Sequence, residues 1–254
     1  MRSLAVLLTA IFAFIANPLA AQEIAYETVG LEEAIWSGGG SERYVTVYIV
    51  ETPQVAAMPE GIATYGPFRV TDESHAALVD VTDEGSPAAF DAMLRDYPGI
   101  AVLDMIDCPG TEDDRANLRL GRMIRARGIA THVPAGGSVR SGAVELFLAG
   151  ASRRIDDGAE FAVHAWIDED GRQADEYAAS SPENRKYLTY YREMGMRAGQ
   201  ATAFYAMTNS VPFEHARWLD AAEMRGWLDY GQLAEPEKDT IELLANLDLP
   251  AHLN

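Results

Sequence analysis

The sequence contains a single cysteine, Cys108, and this excludes an internal disulfide from the fold. Even in an oxidising compartment, the stability of the 254-residue chain must therefore come from its core. Basic residues are also few: 20 Lys and Arg stand against 39 Asp and Glu, which gives a net charge of −19. Because nucleic acids and anionic membrane surfaces repel such a chain, both are excluded as expected partners.

Long apolar runs are absent after the first 21 residues. The opening stretch, "MRSLAVLLTAIFAFIANPLAA", has one Arg, then an apolar run, then small residues, which is typical of a secretory signal cleaved after Ala21. Its apolar run, Leu4 to Ala16, is too short to cross a bilayer core of ~30 Å. Loss of Arg2 would take the mature net charge from −19 to −20. We therefore expect a periplasmic or secreted protein, with no membrane span in its mature form.

Motifs that bind common cofactors and metals are also missing. The chain has no phosphate-binding loop, no H-E-x-x-H and no dinucleotide-binding glycine fingerprint. Its five histidines are scattered, and no pair has the short spacing of a local metal site. The region around Ser141 is not a G-x-S-x-G elbow, because Val139 stands where glycine is required. We expect neither a cofactor nor a metal.

The patterns that are present predict strands alternating with helices. With 48% apolar residues, the chain can bury one sizeable core. The apolar run "IAVLDMIDCPG" (100–110) predicts a strand buried on both faces, and "RYVTVYIV" (43–50) predicts another strand. "SPAAFDAMLRDYPG" (86–99) predicts a helix with Ser86 as its N-cap and Pro87 in its first turn. This alternation indicates an α/β fold with mainly parallel strands.

The segment "GGSVRSGAVELFLAG" (136–150) places Ser141 at the start of a predicted helix that ends at Gly150. Ser141 there could be an N-cap, or a nucleophile beside free N–H groups that stabilise an oxyanion, or both. His164 ends the apolar strand "AEFAVH" and could be the base that activates Ser141. A histidine on an apolar strand could equally be a satisfied core residue.

Five longer segments carry a family resemblance: "VDVTDEGSPAAFDAMLRDYPGIAVLDMIDCPG", "GRMIRARGIATHVPAGG", "SGAVELFLAGASRR", "GAEFAVHAW" and "ARWLDAAEMRGWLDYGQL". They resemble the Clp protease/crotonase superfamily, and specifically the exported Clp-protease-like proteins of bacteria. The resemblance implies an α/β spiral of short, mainly parallel strands with helices, preceded by an N-terminal extension. The implied organisation is a signal peptide (1–21), an N-terminal extension (22–66), the Clp-protease/crotonase-like domain (67–235) and a C-terminal tail (236–254).

The resemblance also implies an exported serine hydrolase of peptidase type that works through an acyl-enzyme. Ser141 matches the family's nucleophile and His164 its general base. The oxyanion-binding backbone N–H groups fall in the region of Gly110 and Thr111, together with Gly142. A peptide or protein is the implied substrate.

The sequence departs from the family pattern at two positions. Thr111 replaces a glycine of the oxyanion loop, and the family's aspartate falls near Pro212, where Glu214 is the nearest carboxylate and the predicted triad acid. Because of these departures, a second interpretation stays open: a catalytically silent protein of the same fold that binds a peptide or a partner in the periplasm. A crotonase-like reaction on an acyl thioester is a third reading, although an exported protein would not meet coenzyme A.

The family assembles through a helix that lies between its histidine and acid segments. In this chain the corresponding stretch is 182–207, which predicts a helix with more apolar and aromatic residues than one buried face requires. We therefore expect this helix to mediate self-association into a homo-oligomer.

Overall fold

The computed structural model of the chain describes residues 55–233. The predicted signal peptide, the predicted strand at 43–50 and the predicted C-terminal tail lie outside the described residues. The boundaries at 66 and 235 stay predictions. None of the helices between residues 55 and 233 combines the length and apolar character needed to cross a bilayer.

The first of two sheets has six strands in the order β1-β2-β3-β4-β6-β8. The strands β1, β2 and β3 pair antiparallel, whereas β3, β4, β6 and β8 pair parallel. Their bounds are Ala63–Tyr65 (β1), Phe68–Val70 (β2), His75–Leu78 (β3), Val102–Met105 (β4), Ala130–Val133 (β6) and Arg153–Ile155 (β8).

The second sheet has four strands in the order β10-β9-β7-β5. Here β5, β7 and β9 are parallel, and β10 closes the edge antiparallel to β9. Their bounds are Asp107–Cys108 (β5), Ser138–Arg140 (β7), Glu160–Val163 (β9) and Arg217–Asp220 (β10).

Between the strands lie six α-helices and one short 3-10 helix within the described range. Their bounds are Ser86–Asp96 (α1), Asp114–Ala126 (α2), Ala143–Leu148 (α3), Ala174–Glu176 (3-10), Pro182–Glu193 (α4), Ala198–Thr208 (α5) and Ala221–Leu233 (α6). The chain repeatedly adds one strand to the first sheet and the next to the second: β4 and β5, then α2; β6 and β7, then α3; then β8 and β9. This repetition winds the chain into a spiral of short, mainly parallel strands, which confirms the predicted fold class.

The prediction of one strand over 100–110 is wrong in detail, because this run contributes to both sheets. It breaks at Ile106, whose N–H donates to Leu78 O (3.0 Å) while its carbonyl accepts from Ser138 N (2.8 Å). Ile106 is thus the point at which the chain crosses from one sheet to the other. The mostly apolar run carries no signal of this crossing, because residues of both halves, such as Leu103 and Cys108, enter the same core.

The helix predicted at 86–99 is present as α1, with its proline in the first turn. The N-cap prediction for Ser86 is wrong, because Gly85 is the N-cap and Ser86 is the first helical residue. The Ser86 hydroxyl instead accepts from Asp83 N (2.9 Å) and donates to Asp83 Oδ1 (2.8 Å). It therefore fixes the turn before the helix.

The segment 182–207 forms two helices, α4 and α5, rather than one. The chain turns at Gly195, where φ is +99°, a backbone conformation that glycine adopts readily and that is strained for other residues. The aromatic and Met side chains of the segment mostly enter the core of the same chain: Tyr187, Tyr190, Tyr191, Met194, Met196 and Phe204. Most of the apolar excess that predicted self-association is therefore used within the chain, and self-association stays a prediction.

Candidate functional site

Three neighbouring parallel strands, β5, β7 and β9, end at the same edge of the second sheet. Cys108 pairs with Val139, and Arg140 pairs with Ala162. Because parallel strands in register finish side by side, the residues that follow each of them come together. These residues are Gly110 and Thr111, Ser141 and Gly142, and His164. The carboxyl ends of parallel strands are the usual location of binding sites in α/β folds.

Ser141 has an unusual backbone. Its φ is +50°, and it is the only residue other than glycine with a positive φ in the described part of the chain. Its N–H donates to Ala162 O (2.8 Å) and its carbonyl accepts from Val144 N (2.9 Å), so β9 on one side and the first turn of α3 on the other hold it there. Such a conformation costs about 1–3 kcal/mol and is often found at functional sites.

The side chain of Ser141 caps no helix, so the N-cap prediction for Ser141 is wrong. Gly142 is the N-cap of α3, and no side chain there accepts a hydrogen bond from the helix backbone. The left-handed turn at Ser141 directs the side chain away from the helix amides. Within residues 55–229 the hydroxyl has no hydrogen-bond partner, and it borders the cavity described below.

Gly110 packs against Ser141. Its φ is +136°, and a Cβ placed on it would lie 2.9 Å from Ser141 Cβ and 3.3 Å from Ser141 Oγ. Its carbonyl accepts hydrogen bonds from the backbone N–H (3.0 Å) and the hydroxyl (3.3 Å) of Thr82. The turn is therefore fixed, and only glycine fits this close to the serine.

Thr111 and Gly142 are neighbours in space, and each has a backbone N–H without a partner among the described residues. The N–H of Thr82 donates to Gly110 O (3.0 Å), and the carbonyl of Thr82 accepts from Glu112 N (2.8 Å). Thr111 lies between these two partners in a parallel bridge, so its own N–H points away from Thr82. Neither this N–H nor that of Gly142 donates to another described residue. The two residues are in contact, since a Cβ on Gly142 would lie 2.5 Å from Thr111 Cγ2.

The side chain of Asn117 links the segment of Gly142 to the segment of Thr82. Its Nδ2 donates to Gly142 O (2.6 Å), and its Oδ1 accepts from the Thr82 hydroxyl (3.0 Å). Asn117 and Thr82 are both buried, and buried hydrogen bonds of this kind hold a loop in one arrangement. The threonine that replaces the expected glycine at 111 keeps its N–H free. Its hydroxyl lies within hydrogen-bond distance of two carbonyl oxygens, Thr82 O (3.2 Å) and Asp113 O (3.1 Å), to either of which it can donate.

His164 follows β9 directly and borders the same cavity as Ser141. Its Nδ1 lies 2.9 Å from the carbonyl oxygen of Ala165. Since a carbonyl only accepts, this hydrogen bond requires the proton on Nδ1 and leaves Nε2 as the acceptor in the neutral ring. The Phe213 ring packs edge-on against the imidazole, with ring centroids 4.9 Å apart.

Glu214, the predicted triad acid, is not brought into contact with His164. The loop that carries it does pass beside the histidine, because Ala165 N donates to Val211 O (2.9 Å). However, Phe213 is the residue of this loop that meets the imidazole, whereas Glu214 is exposed. No hydrogen bond links Glu214 to His164 in the part of the chain that the structure describes.

A cavity of about 700 Å³ opens beside these residues, and Thr111, Ser141, Gly142 and His164 all border it. Its walls include six aromatic side chains besides His164: Trp166, Tyr177, Tyr187, Tyr191, Tyr205 and Phe213. Eight carboxylates also border it: Glu112, Asp113, Asp114, Glu145, Asp168, Glu169, Asp170 and Glu183. The only lysine or arginine side chains on its wall are Arg115 and Lys186. The cavity is therefore both aromatic and strongly acidic.

Glu145 is the residue of this cavity that the sequence reasoning missed. It lies in the first turn of α3, four positions after Ser141, and only 8% of its surface is exposed. Its Oε1 accepts a hydrogen bond from the Tyr191 hydroxyl (2.7 Å). Burial raises the pKa of Glu145 to about 7, with a smaller contribution from Asp114. The signal was present in the sequence, since Glu145 is the one charged residue in the apolar run "AVELFLA".

The solved structures that this chain resembles in fold include Clp-type and stomatin-specific proteases. One is a ClpP1 mutant from Listeria monocytogenes, with 15% identity and a TM-score of 0.45 over 61% of this chain and 88% of that one. Another is the 1510-N membrane-bound stomatin-specific protease in complex with a substrate peptide, with 17% identity and a TM-score of 0.40 over 66% of this chain and 78% of that one. No protein-family model matches the sequence. No curated protein matches it either.

Proposed function

We propose that this protein is an exported serine hydrolase of peptidase type. The observation that carries the proposal is the meeting of three strand ends at one cavity. There, a hydroxyl held at a strained backbone position, an imidazole and two N–H groups without partners lie on adjacent segments. These are the groups that acyl transfer to a serine requires.

In the proposed reaction, Ser141 Oγ attacks the carbonyl carbon of the substrate while His164 Nε2 takes the hydroxyl proton. The N–H groups of Thr111 and Gly142 bind the oxyanion of the tetrahedral intermediate. His164 then donates its proton to the departing amine, and the C–N bond breaks to leave an acyl-enzyme. Water, deprotonated by His164, attacks this ester and releases the acid and the free serine.

The Ala165 carbonyl takes the orienting position that a carboxylate has in a Ser-His-Asp triad. Its hydrogen bond from Nδ1 (2.9 Å) keeps Nε2 free to accept the serine proton. A neutral carbonyl stabilises the imidazolium less than a carboxylate does. We therefore expect slow turnover compared with proteases that have a complete triad.

The second candidate is a peptide-binding module that uses the same cavity without hydrolysis. The observation that favours it is the absence of any carboxylate hydrogen-bonded to His164 among the described residues. Such a protein would hold peptides beside Ser141 and release them unchanged.

Hydrolysis of a peptide mixture, read by mass spectrometry, tests the proposal. New termini should appear with the wild type and be lost in Ser141→Ala and His164→Ala. His215→Ala is the matched control, since His215 is exposed and does not border the cavity. Hydrolysis that persists in Ser141→Ala would contradict the proposal. Peptide binding without any hydrolysis by the wild type would favour the binding module.

A further inference from the structure

The cavity beside Ser141 contains a buried carboxylate that the proposed reaction does not use. Glu145 is more than nine-tenths buried, and its Oε1 is held by the Tyr191 hydroxyl. Its Oε2 has no hydrogen-bond partner among residues 55–229, and no described cation lies within ion-pair distance of the carboxylate. Oε2 is not among the fully buried atoms that lack a partner, so it is open to the cavity, where a cation can pair with it.

The surrounding walls have the composition that binds cations. The Lys186 ammonium already lies over two of the rings, 4.9 Å from the Tyr187 centroid and 5.4 Å from that of Trp166. The Arg172 guanidinium, which does not border the cavity, lies 4.6 Å from the centroid of Tyr177, one of the cavity's rings. Aromatic faces attract cations because their π-electrons carry negative charge, and these rings do so in this structure.

Lys186 does not neutralise Glu145. Its ammonium pairs instead with Asp114, at 3.7 Å. Asp114 also accepts a hydrogen bond from the Tyr187 hydroxyl, so this lysine, tyrosine and aspartate form a group of their own on the wall. Glu145 is left to attract a cation from outside the chain.

The charge of the cavity points to the same class of ligand. The wall carries eight carboxylates against two lysine or arginine side chains, and although Arg172 pairs with Asp168 and Asp170, the charge of the wall stays negative. A negative wall draws cations in and repels acidic groups. A neutral apolar side chain would bury Glu145 further without pairing it, which is unfavourable. A basic side chain could pair with Glu145 and pack its methylene stem against the rings.

We propose that this cavity is a specificity pocket for a lysine or arginine side chain of the substrate, with Glu145 as the partner of its charge. The pocket borders Ser141, which places the basic residue next to the bond that is cleaved, and our proposal assigns it to the residue before that bond. This inference rests on the proposed function, of which it names the substrate class. Glu145 is thereby a specificity-determining residue and takes no part in the bond-breaking step.

The test compares peptides that differ at one position, with lysine, norleucine or glutamate before the scissile bond. Norleucine keeps the straight carbon chain of lysine and lacks the ammonium group, so it isolates the charge. We expect the wild type to prefer lysine to norleucine in kcat/KM by at least about tenfold, and to cleave the glutamate peptide least. In Glu145→Gln, which keeps the acceptor for Tyr191, the preference for lysine should fall to near unity. Glu160→Gln is the matched control, because it removes the same charge from a residue of β9 that does not border the cavity. This variant should retain the preference for lysine.

Binding to the Ser141→Ala protein, measured by calorimetry with the same peptides, separates this inference from the proposed function. Suppose that no peptide is cleaved, but that the lysine peptide binds about tenfold better than the norleucine peptide and loses this advantage in Glu145→Gln. The proposed hydrolase activity is then refuted and the proposed pocket is supported. If peptides are cleaved with no preference for lysine, or with a preference that persists in Glu145→Gln, the proposed pocket is refuted and the proposed hydrolase activity is supported. If the peptides neither react nor bind, the pocket is also refuted.

Discussion

The Nδ1 atom of His164 lies 2.9 Å from the carbonyl oxygen of Ala165, the next residue in the chain. The hydrogen bond is local, so the backbone at the end of β9 sets the tautomer of the imidazole without help from a distant side chain. Phe213, at 4.9 Å between ring centroids, limits the rotation of the ring from the other side. His164 can therefore be oriented in a site that has no acid beside it.

Replacement of Glu214 by Gln should change the activity by no more than about twofold, since surface substitutions away from specific contacts have small effects. Glu214 is exposed and has no hydrogen bond to His164. The measurement is kcat/KM for the best peptide, beside His164→Ala as the control that should abolish activity. A loss of about 10² or more in Glu214→Gln would restore Glu214 as the acid that orients His164.

Gly142→Ala should lower the rate of acylation by about 10²- to 10³-fold, the usual effect of losing one oxyanion donor. The φ of Gly142 is −56°, so alanine is allowed there, but its Cβ would lie 2.5 Å from Thr111 Cγ2 and displace one of the two segments. Burst-phase kinetics would measure the acylation step.

Thr111→Ser tests the cause of that effect, because it removes the methyl group that the new Cβ would strike. The double variant Gly142→Ala/Thr111→Ser should recover part of the lost rate. Gly199→Ala is the control, since a Cβ at Gly199 has open space around it and should leave the rate unchanged. Equal losses in the single and double variants would show that Thr111 does not transmit the effect.

Ser141→Gly should be more stable than Ser141→Ala by about 1 kcal/mol, because glycine tolerates a φ of +50° and alanine does not. Both variants lack the hydroxyl, so the comparison isolates the backbone strain. Chemical denaturation gives the two free energies of unfolding. A Ser141→Ala protein at least as stable as Ser141→Gly would contradict the left-handed conformation at this position.

The stability of the wild type should fall as the pH rises from about 4.5 to about 7, by up to about 3 kcal/mol from Glu145 alone. Burial raises the pKa of Glu145 in the folded state, so over this range the native protein holds a proton that the unfolded chain releases. Glu145→Gln lacks this group, and its stability relative to the wild type should increase with pH. Unfolding curves at pH 5 and pH 8 measure the effect, and a constant difference between the two proteins would contradict it.

Local patterns in the sequence predicted the class of fold, because apolar residues recur with different spacings in strands and in amphipathic helices. They could not predict the crossing at Ile106, where one apolar run serves two sheets. They also predicted a single helix over 182–207, with more apolar and aromatic residues than one buried face requires. The turn at Gly195 instead folds α5 back against α4 and buries Tyr190 and Phe204.

For the candidate site, His164 was readable because it follows the apolar run of β9, and Ser141 because it precedes the apolar run "AVELFLA". The positions of Ser141 and His164 then depend on the register of β7 against β9, which no local pattern encodes. The cap predicted for Ser141 failed for a related reason. Its left-handed backbone arises from two hydrogen bonds, one of them to Ala162 in the neighbouring strand, and serine itself has little preference for it.

Labelling of the purified protein with a fluorophosphonate tests the central claim most directly, since this probe reacts with serines that a base has activated. Intact-mass measurement and peptide mapping should find one adduct per chain, on Ser141, that is absent in Ser141→Ala and strongly reduced in His164→Ala. Labelling that persists in Ser141→Ala, or a wild type that does not react at all, would contradict the assignment of Ser141 as a nucleophile.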